Sequence, residues 1–213
     1  IYTLSLHDAL PIWPWQSHRA VKRYIKEAGG QVVGEEFVPV GEDDHAAQLE
    51  RIRAAKPDVV LISLIGTDSV TFNRAFAEAG LARTILRYAS CVDETSLLGI
   101  GADKTENLFC ASGYFGCVDS RANDEFQTSY RAMFGAHAPP IGSVGQSNYE
   151  GMRFLEAAAN RARSLSTGPL SSAARNLVYS GARGTVTIRD GRAEMPIYLA
   201  EADGLDFNVI KTI

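Results

Sequence analysis

Three observations predict an α/β fold built on a doubly wound parallel sheet. The run Asp58-Val-Val-Leu-Ile-Ser63 is apolar on both faces, as a central parallel strand must be when helices cover each side. Extended and helical patterns alternate at β-α spacing from residue 17 to residue 111. Gly29-Gly30, Pro57 and Gly80 each punctuate the end of a helical pattern.

The elements follow in order. Residues 17–28 set Ala20, Val21, Tyr24, Ile25 and Ala28 on one helical face. Residues 31–40 alternate as an extended segment until Pro39 and Gly41 break it. Asp43 or Asp44 caps a second helix whose Ala47, Leu49 and Ile52 are apolar, and which stops before Pro57. After the central strand, a helix from about Ser69 uses Val70, Phe72, Phe76 and Ala79. Residues 85–90 give a strand, 93–98 a short helix and 108–111 another strand.

Past Tyr114 the rhythm changes. Helices at residues 121–134 and 146–162 are separated only by the Pro139-Pro140 turn. A Ser/Gly/Pro linker, residues 164–172, leads to a short helix ending near Ser180. Residues 185–188 and 196–200 read as the arms of a hairpin around Asp190-Gly191, and 205–210 as one more strand. The chain leaves the first sheet and returns to it.

Composition narrows the function classes. Of 213 residues, 46% are hydrophobic and 22% charged, the usage of a domain with a buried core. A net charge of −4 and a pI near 5.6 supply no basic face for nucleic acid. No apolar run approaches the roughly 18 residues of a membrane span, so direct membrane insertion is not expected. Cys91, Cys110 and Cys117 have no C-x-x-C spacing for a metal and read as buried thiols, a Cys110–Cys117 bridge being the alternative. His18, His45 and His137 are ungrouped and read as surface residues. No phosphate loop, metalloprotease motif or cofactor signature is present, so neither a cofactor nor a metal is expected.

The first twelve residues, IYTLSLHDALPI, spell codon for codon the in-frame translation of a widely used sequencing adapter. They are therefore expected to be foreign to the protein, with the native residues before Trp13 replaced and the chain a fragment. A cleaved signal peptide is the poorer reading, because the stretch has no basic start and carries His7 and Asp8 within its apolar part.

Several short motifs follow one another at consistent spacing. They are Trp13-Pro14-Trp15-Gln16, the glycine-valine-glutamate stretch from Gly29 to Gly41, and Lys56-Pro57-Asp58-Val59-Val60 followed by Leu64-Ile65-Gly66-Thr67. Ala89-Ser90-Cys91 with Glu94, Gly99-Ile100-Gly101, and Gly113-Tyr114-Phe115 with Val118-Asp119 complete the series. In order and spacing this series resembles the type I periplasmic solute-binding proteins. Within them it is most similar to the branch of the amide-sensing regulator and the urea and short-chain amide transporters.

The resemblance covers nearly all of residues 13–213. It implies a second lobe at residues 13–115, a hinge crossing with first-lobe helices at 116–180, and a hairpin and strand returning to the second lobe at 181–213. It further implies binding without catalysis. A short-chain amide, urea or branched-chain amino acid would be held between two closing lobes. A membrane permease of an ABC transporter would be the partner, outside the cytoplasm. The runner-up is a cytoplasmic amide sensor acting through a regulatory protein partner.

In open α/β sheets, ligands lie beyond the carboxyl ends of the strands. Ile65, Gly66 and Thr67 open a helix there, and their amides and hydroxyl suit a carbonyl or carboxylate oxygen, with helix capping by Thr67 or Ser69 the alternative. Ser90, Cys91 and Glu94 follow the next strand, where Asp93 or Glu94 can accept from an N–H or simply cap a helix. Trp13, Tyr114 and Tyr149 are aromatic candidates for the walls, with Trp15 behind them and Tyr149 also suited to a core. A hydrolase is a further alternative, resting on Gly142-Ser143-Val144-Gly145, in which Ile141 replaces the first glycine of a nucleophile elbow.

Overall fold

The computed structural model describes residues 1–6 and 12–213. Its chain divides into two compact units, Ile1–Ala111 with Ala200–Asn208, and Ser112–Leu199 with Val209–Ile213.

The first unit is organised by a seven-stranded sheet. In chain order its elements are β1 (Tyr2–Leu6), α1 (Ile12–Glu27), β2 (Gly34–Val38), α2 (Ala46–Ala55), β3 (Val59–Ser63) and α3 (Gly66–Glu78). They continue with β4 (Leu86–Ala89), α4 (Glu94–Ile100) and β5 (Leu108–Ser112). Strands β1 to β5 pair in parallel, in the spatial order β5-β4-β3-β1-β2. β3 is buried along nearly its whole length, as its unbroken apolar run requires.

Part of the segment read as adapter translation has a place in this sheet. β1 lies between β2 and β3, with Tyr2 opposite Gly34 and Val60, and Leu4 opposite Glu36 and Ile62. Tyr2 and Leu4 are buried, and Thr3 between them is buried too. Alternation of β-formers is enough to occupy such a slot, because ladder bonds are indifferent to sequence. Tyr2 also donates its hydroxyl proton to Glu36, which Arg51 holds from the other side through Nη2 at 3.0 Å. The remainder of the segment, residues 7–11, lies outside the described residues.

Several expectations are corrected here. α1 begins at Ile12, and Pro14, His18 and Ile25 form its buried stripe, while Tyr24 and Ala28 are exposed. α3 begins at Gly66, three residues earlier than expected. Ala47 is exposed; Gln48, Leu49 and Ile52 are the buried residues of α2. His18 and His45 are core residues: His18 Nδ1 meets Glu35 at 3.1 Å, and His45 Nε2 meets Thr71 Oγ1 at 3.0 Å. His137 is exposed, as expected. Of the cysteines only Cys110 is buried, its thiol pushed up to about 12 by burial, and Cys91 and Cys117 are exposed.

Arg87 on β4 is fully buried, a position arginine takes only when its charge is hydrogen-bonded; both Nη atoms are bonded, while Nε has no partner among the described residues. Its guanidinium donates to the carbonyls of Asn73 (3.0 Å), Lys104 (2.8 Å) and Glu106 (2.7 Å). It thereby ties three backbone segments to the sheet, and burial pushes its pKa down to about 10.

The second unit holds α5 (Arg121–Phe134), α6 (Ser143–Ala162), α7 (Thr167–Ala174) and an antiparallel sheet of β6 (Val178–Gly181), β7 (Gly184–Arg189) and β8 (Arg192–Glu194). Residues 178–180, expected at the end of a helix, are strand. The Asp190-Gly191 hairpin is present, both residues having positive φ as a type I′ turn needs, but its second arm is β8 and not 196–200. Residues 198–203 are instead β9 (Tyr198–Asp203), which with β10 (Asp206–Thr212) extends the large sheet beside β5. On α6, Val144, Met152 and Leu155 form an exposed apolar stripe.

Gly34 and the two buried histidines generate predictions. A Cβ on Gly34 would stand 2.2 Å from the Tyr2 ring, so Gly34→Ala should destabilise the first unit by about 1–3 kcal/mol. In a Tyr2→Ala background that penalty should vanish, a coupling that urea denaturation of the four variants measures. Burial holds His18 and His45 below their ordinary 6.5, outweighing the acids beside them. The unfolded chain then binds more protons than the folded one, so stability should fall as pH drops from about 6.5 toward 5. His45→Gln should flatten that slope in urea melts at successive pH values.

Candidate functional site

The carboxyl ends of the parallel strands in the first unit form a rim. β3 runs through Leu64 directly into α3, and β4 through Ser90–Asp93 into α4. β2 ends in the Pro39–Gly41 turn, which is tied to α3 because the Gly41 amide donates to both Asp68 carboxylate oxygens, at 3.2 and 3.1 Å.

Two of the helices that open on this rim, α3 and α4, begin differently. At α4, Asp93 accepts from the Ser96 amide at 3.2 Å, and the Ser96 hydroxyl closes a capping box. Thr95 and Ser96 hydroxyls also donate to Asp93. The choice left open in the sequence is therefore settled for Asp93 as a cap. At α3 the cap position is Ile65, in extended conformation and half exposed, with no side-chain cap bond. Gly66 takes a positive φ of 56°, and both Gly66 and Thr67 are exposed. Neither Thr67 nor Ser69 caps the helix, so among the described residues no side chain is bonded to the first amides of this 13-residue helix.

Ser90 Oγ donates to the Ile62 carbonyl at 3.3 Å, holding this loop to the end of β3. Cys91 lies beside it; the residue is exposed overall, yet local desolvation pushes its thiol up. Glu94 is buried in the first turn of α4. Trp13, partly exposed, stands in the first turn of α1, which follows β1. The first unit thus places Ile65, Gly66, Thr67, Ser90, Cys91 and Glu94 at the ends of two adjacent strands.

Of the remaining aromatic candidates, Tyr114 and Tyr149 belong to the second unit and Trp15 to the first. Tyr114 is buried, donating to Asn123 Oδ1 at 2.9 Å with its ring edge-on to Phe126. Tyr149 is half exposed and packs on Phe126 at 4.7 Å. Trp15 is stacked on Phe37 against the flank of α1. Sequence reasoning missed a buried polar cluster in this unit, Gln146, Glu150 and Arg183, in which Gln146 Nε2 donates to Glu150 at 2.8 Å and Arg183 Nη2 to Ser147 at 2.8 Å. The four-residue spacing of Gln146 and Glu150 was the available signal. Ser143 is the first residue of α6, preceded by an irregular segment after α5 and not by a strand, which removes the elbow geometry of the hydrolase reading. Among the described residues, no group of acids, histidines and cysteines could hold a metal, and no helix is long and apolar enough to cross a membrane.

Comparison with known proteins agrees with this architecture. Residues 6–206 match the family described as periplasmic binding protein, and the chain belongs to that family. Its members bind solutes and do not transform them. The fold is shared with an amino acid ABC transporter substrate-binding protein from Pseudomonas fluorescens Pf-5 (TM-score 0.85, 18% identity, 100% of this chain and 58% of that one). It is shared equally with a leucine binding protein from Thermotoga maritima MSB8 (TM-score 0.82, 19% identity, 100% and 60%). A solute binding protein from Rhodopseudomonas palustris BisB5, in complex with 3,4-dihydroxybenzoic acid, is a third (TM-score 0.84, 24% identity, 100% and 59%). The chain therefore spans less than two thirds of the length of these structures.

The cap of α4 can be tested by itself. Asp93→Ala should cost about 1 kcal/mol, and Asp93→Asn much less, in urea unfolding of the chain.

Proposed function

We propose that the chain is part of the substrate-binding component of an ABC transporter that works outside the cytoplasm and delivers a small polar solute to a membrane permease. The solute carries a carbonyl or carboxylate oxygen beside N–H donors: a short-chain amide, urea or a branched-chain amino acid. The observation that supports this most is the uncapped start of α3 at the end of the central strand, where Gly66 and Thr67 are exposed. Unpaired helix N-terminal amides and the helix dipole favour an oxygen carrying negative charge. Glu94, one strand away, is the group to meet the solute's N–H or ammonium. Trp13, Tyr114 and Tyr149 remain the proposed aromatic contacts, Tyr114 only through movement that uncovers its ring. In this reading the rim of the first unit is one wall of the solute site.

Calorimetric titration with propionamide, urea and leucine tests the proposal. A micromolar ligand corresponds to roughly −8 kcal/mol, and a chain spanning 58–60% of its relatives' length is expected to keep about half the contacts. Binding should then be millimolar or weaker, and Thr67→Ala should weaken it further. Glu94→Gln separates the ligand classes: it should weaken leucine, which brings an ammonium, far more than urea. Low-micromolar binding, or none that Thr67→Ala alters, would contradict the reading.

A further inference from the structure

The flank of the first unit carries a second concavity, along the outer face of α1. Trp15, Gln16, Arg19 and Lys22 of α1 and Glu35 of the edge strand β2 enclose a depression of about 490 Å³. Its floor is preorganised. Trp15 stacks on Phe37 with ring centroids 4.0 Å apart and planes 15° from parallel, yet remains 53% exposed. One indole face is thus fixed by packing and the other is open to a flat partner, the arrangement in which aromatic stacking costs least entropy.

The charges around this floor are unequal. Lys22 Nζ lies 2.5 Å from Glu35 Oε2, and His18 Nδ1 meets the other oxygen of the same carboxylate, so Glu35 is neutralised within the wall. Arg19 is exposed and makes no hydrogen bond or ion pair among the described residues. Around it, α1 carries Lys22, Arg23 and Lys26 before its one acid, Glu27, in a chain of net charge −4. The concavity therefore offers one aromatic face and one uncompensated guanidinium, whose fork suits a carboxylate bidentately. Its volume is within the range of small-molecule sites.

We propose that this depression is a binding site for small aromatic monocarboxylates, with the ring on Trp15 and the carboxylate on Arg19. Gln16 supplies an amide at the same wall. None of its five lining residues is among those at the ends of β3 and β4.

The probe is 2-naphthoate, titrated into the isotope-labelled chain while the two indole N–H signals are followed by NMR, with Trp15→Phe assigning them. The Trp15 signal should shift saturably and the Trp13 signal should not. Arg19→Gln should weaken binding at least fivefold, and neutral 2-naphthamide should bind at least fivefold more weakly than the acid. Arg19 is exposed, so its replacement leaves the fold intact, which unchanged amide spectra would verify. A Trp15 signal that stays still, an unaffected Arg19→Gln variant, equal binding of acid and amide, or shifts confined to Gly66 and Thr67 would each overturn the proposal.

Discussion

β2 reaches the sheet through β1, and α1 is threaded between them, so the whole flank of the first unit hangs on the ladder formed by Tyr2–Leu6. Removing one interior strand from a parallel sheet leaves two rows of backbone donors and acceptors to be satisfied elsewhere, a cost that no side chain nearby can meet. That demand is met by backbone alone, which is why a segment with the alternation of Tyr2-Thr3-Leu4 can fill it whatever its origin. The side chains add fit: Tyr2 lies over Gly34 and closes on Glu36, which Arg51 in turn holds.

The same backbone logic shapes the rim. Two neighbouring strands deliver two helix starts to one edge. One is closed by its own sequence, Asp93 accepting from the Ser96 amide and the Ser96 hydroxyl accepting from the Asp93 amide. The other begins with Ile65-Gly66-Thr67, residues that cannot or do not cap, and so keeps its amides available. Beneath them the unit is rigidly tied: Asp68 fastens the β2 turn to α3, and Arg87 fastens α3 to the opposite end of the sheet. A site that must offer dipoles in fixed directions gains from such ties, because little reorganisation is then needed when a ligand arrives.

Much of this fold is legible in the sequence, and the parts that are not share a cause. β3 can be read because burial on both faces leaves an uninterrupted apolar run, and α5 because Ser120, which caps it, and Gly135, which ends it, bracket a strong amphipathic pattern. The buried His18 and His45 cannot, since each is made tolerable by one distant partner, Glu35 or Thr71, that periodicity does not reveal. The strand at residues 178–181 follows a helix of only eight residues, too short to set a boundary by pattern, and its identity is fixed by pairing with β7. At the site, the rim residues were found by a rule about strand ends. Which helix is capped depends on χ angles and loop geometry, and the burial of Tyr114 against Asn123 is invisible until the crossing is folded.

The most direct measurement is a map of backbone amide shifts in the labelled chain as leucine or propionamide is added. Shifts that grow saturably at Gly66, Thr67, Ser90 and Cys91, with the capped amide of Ser96 unmoved, are the predicted result. Saturable shifts elsewhere, with Gly66 and Thr67 unchanged, would contradict the assignment of the α3 start as the solute-binding wall.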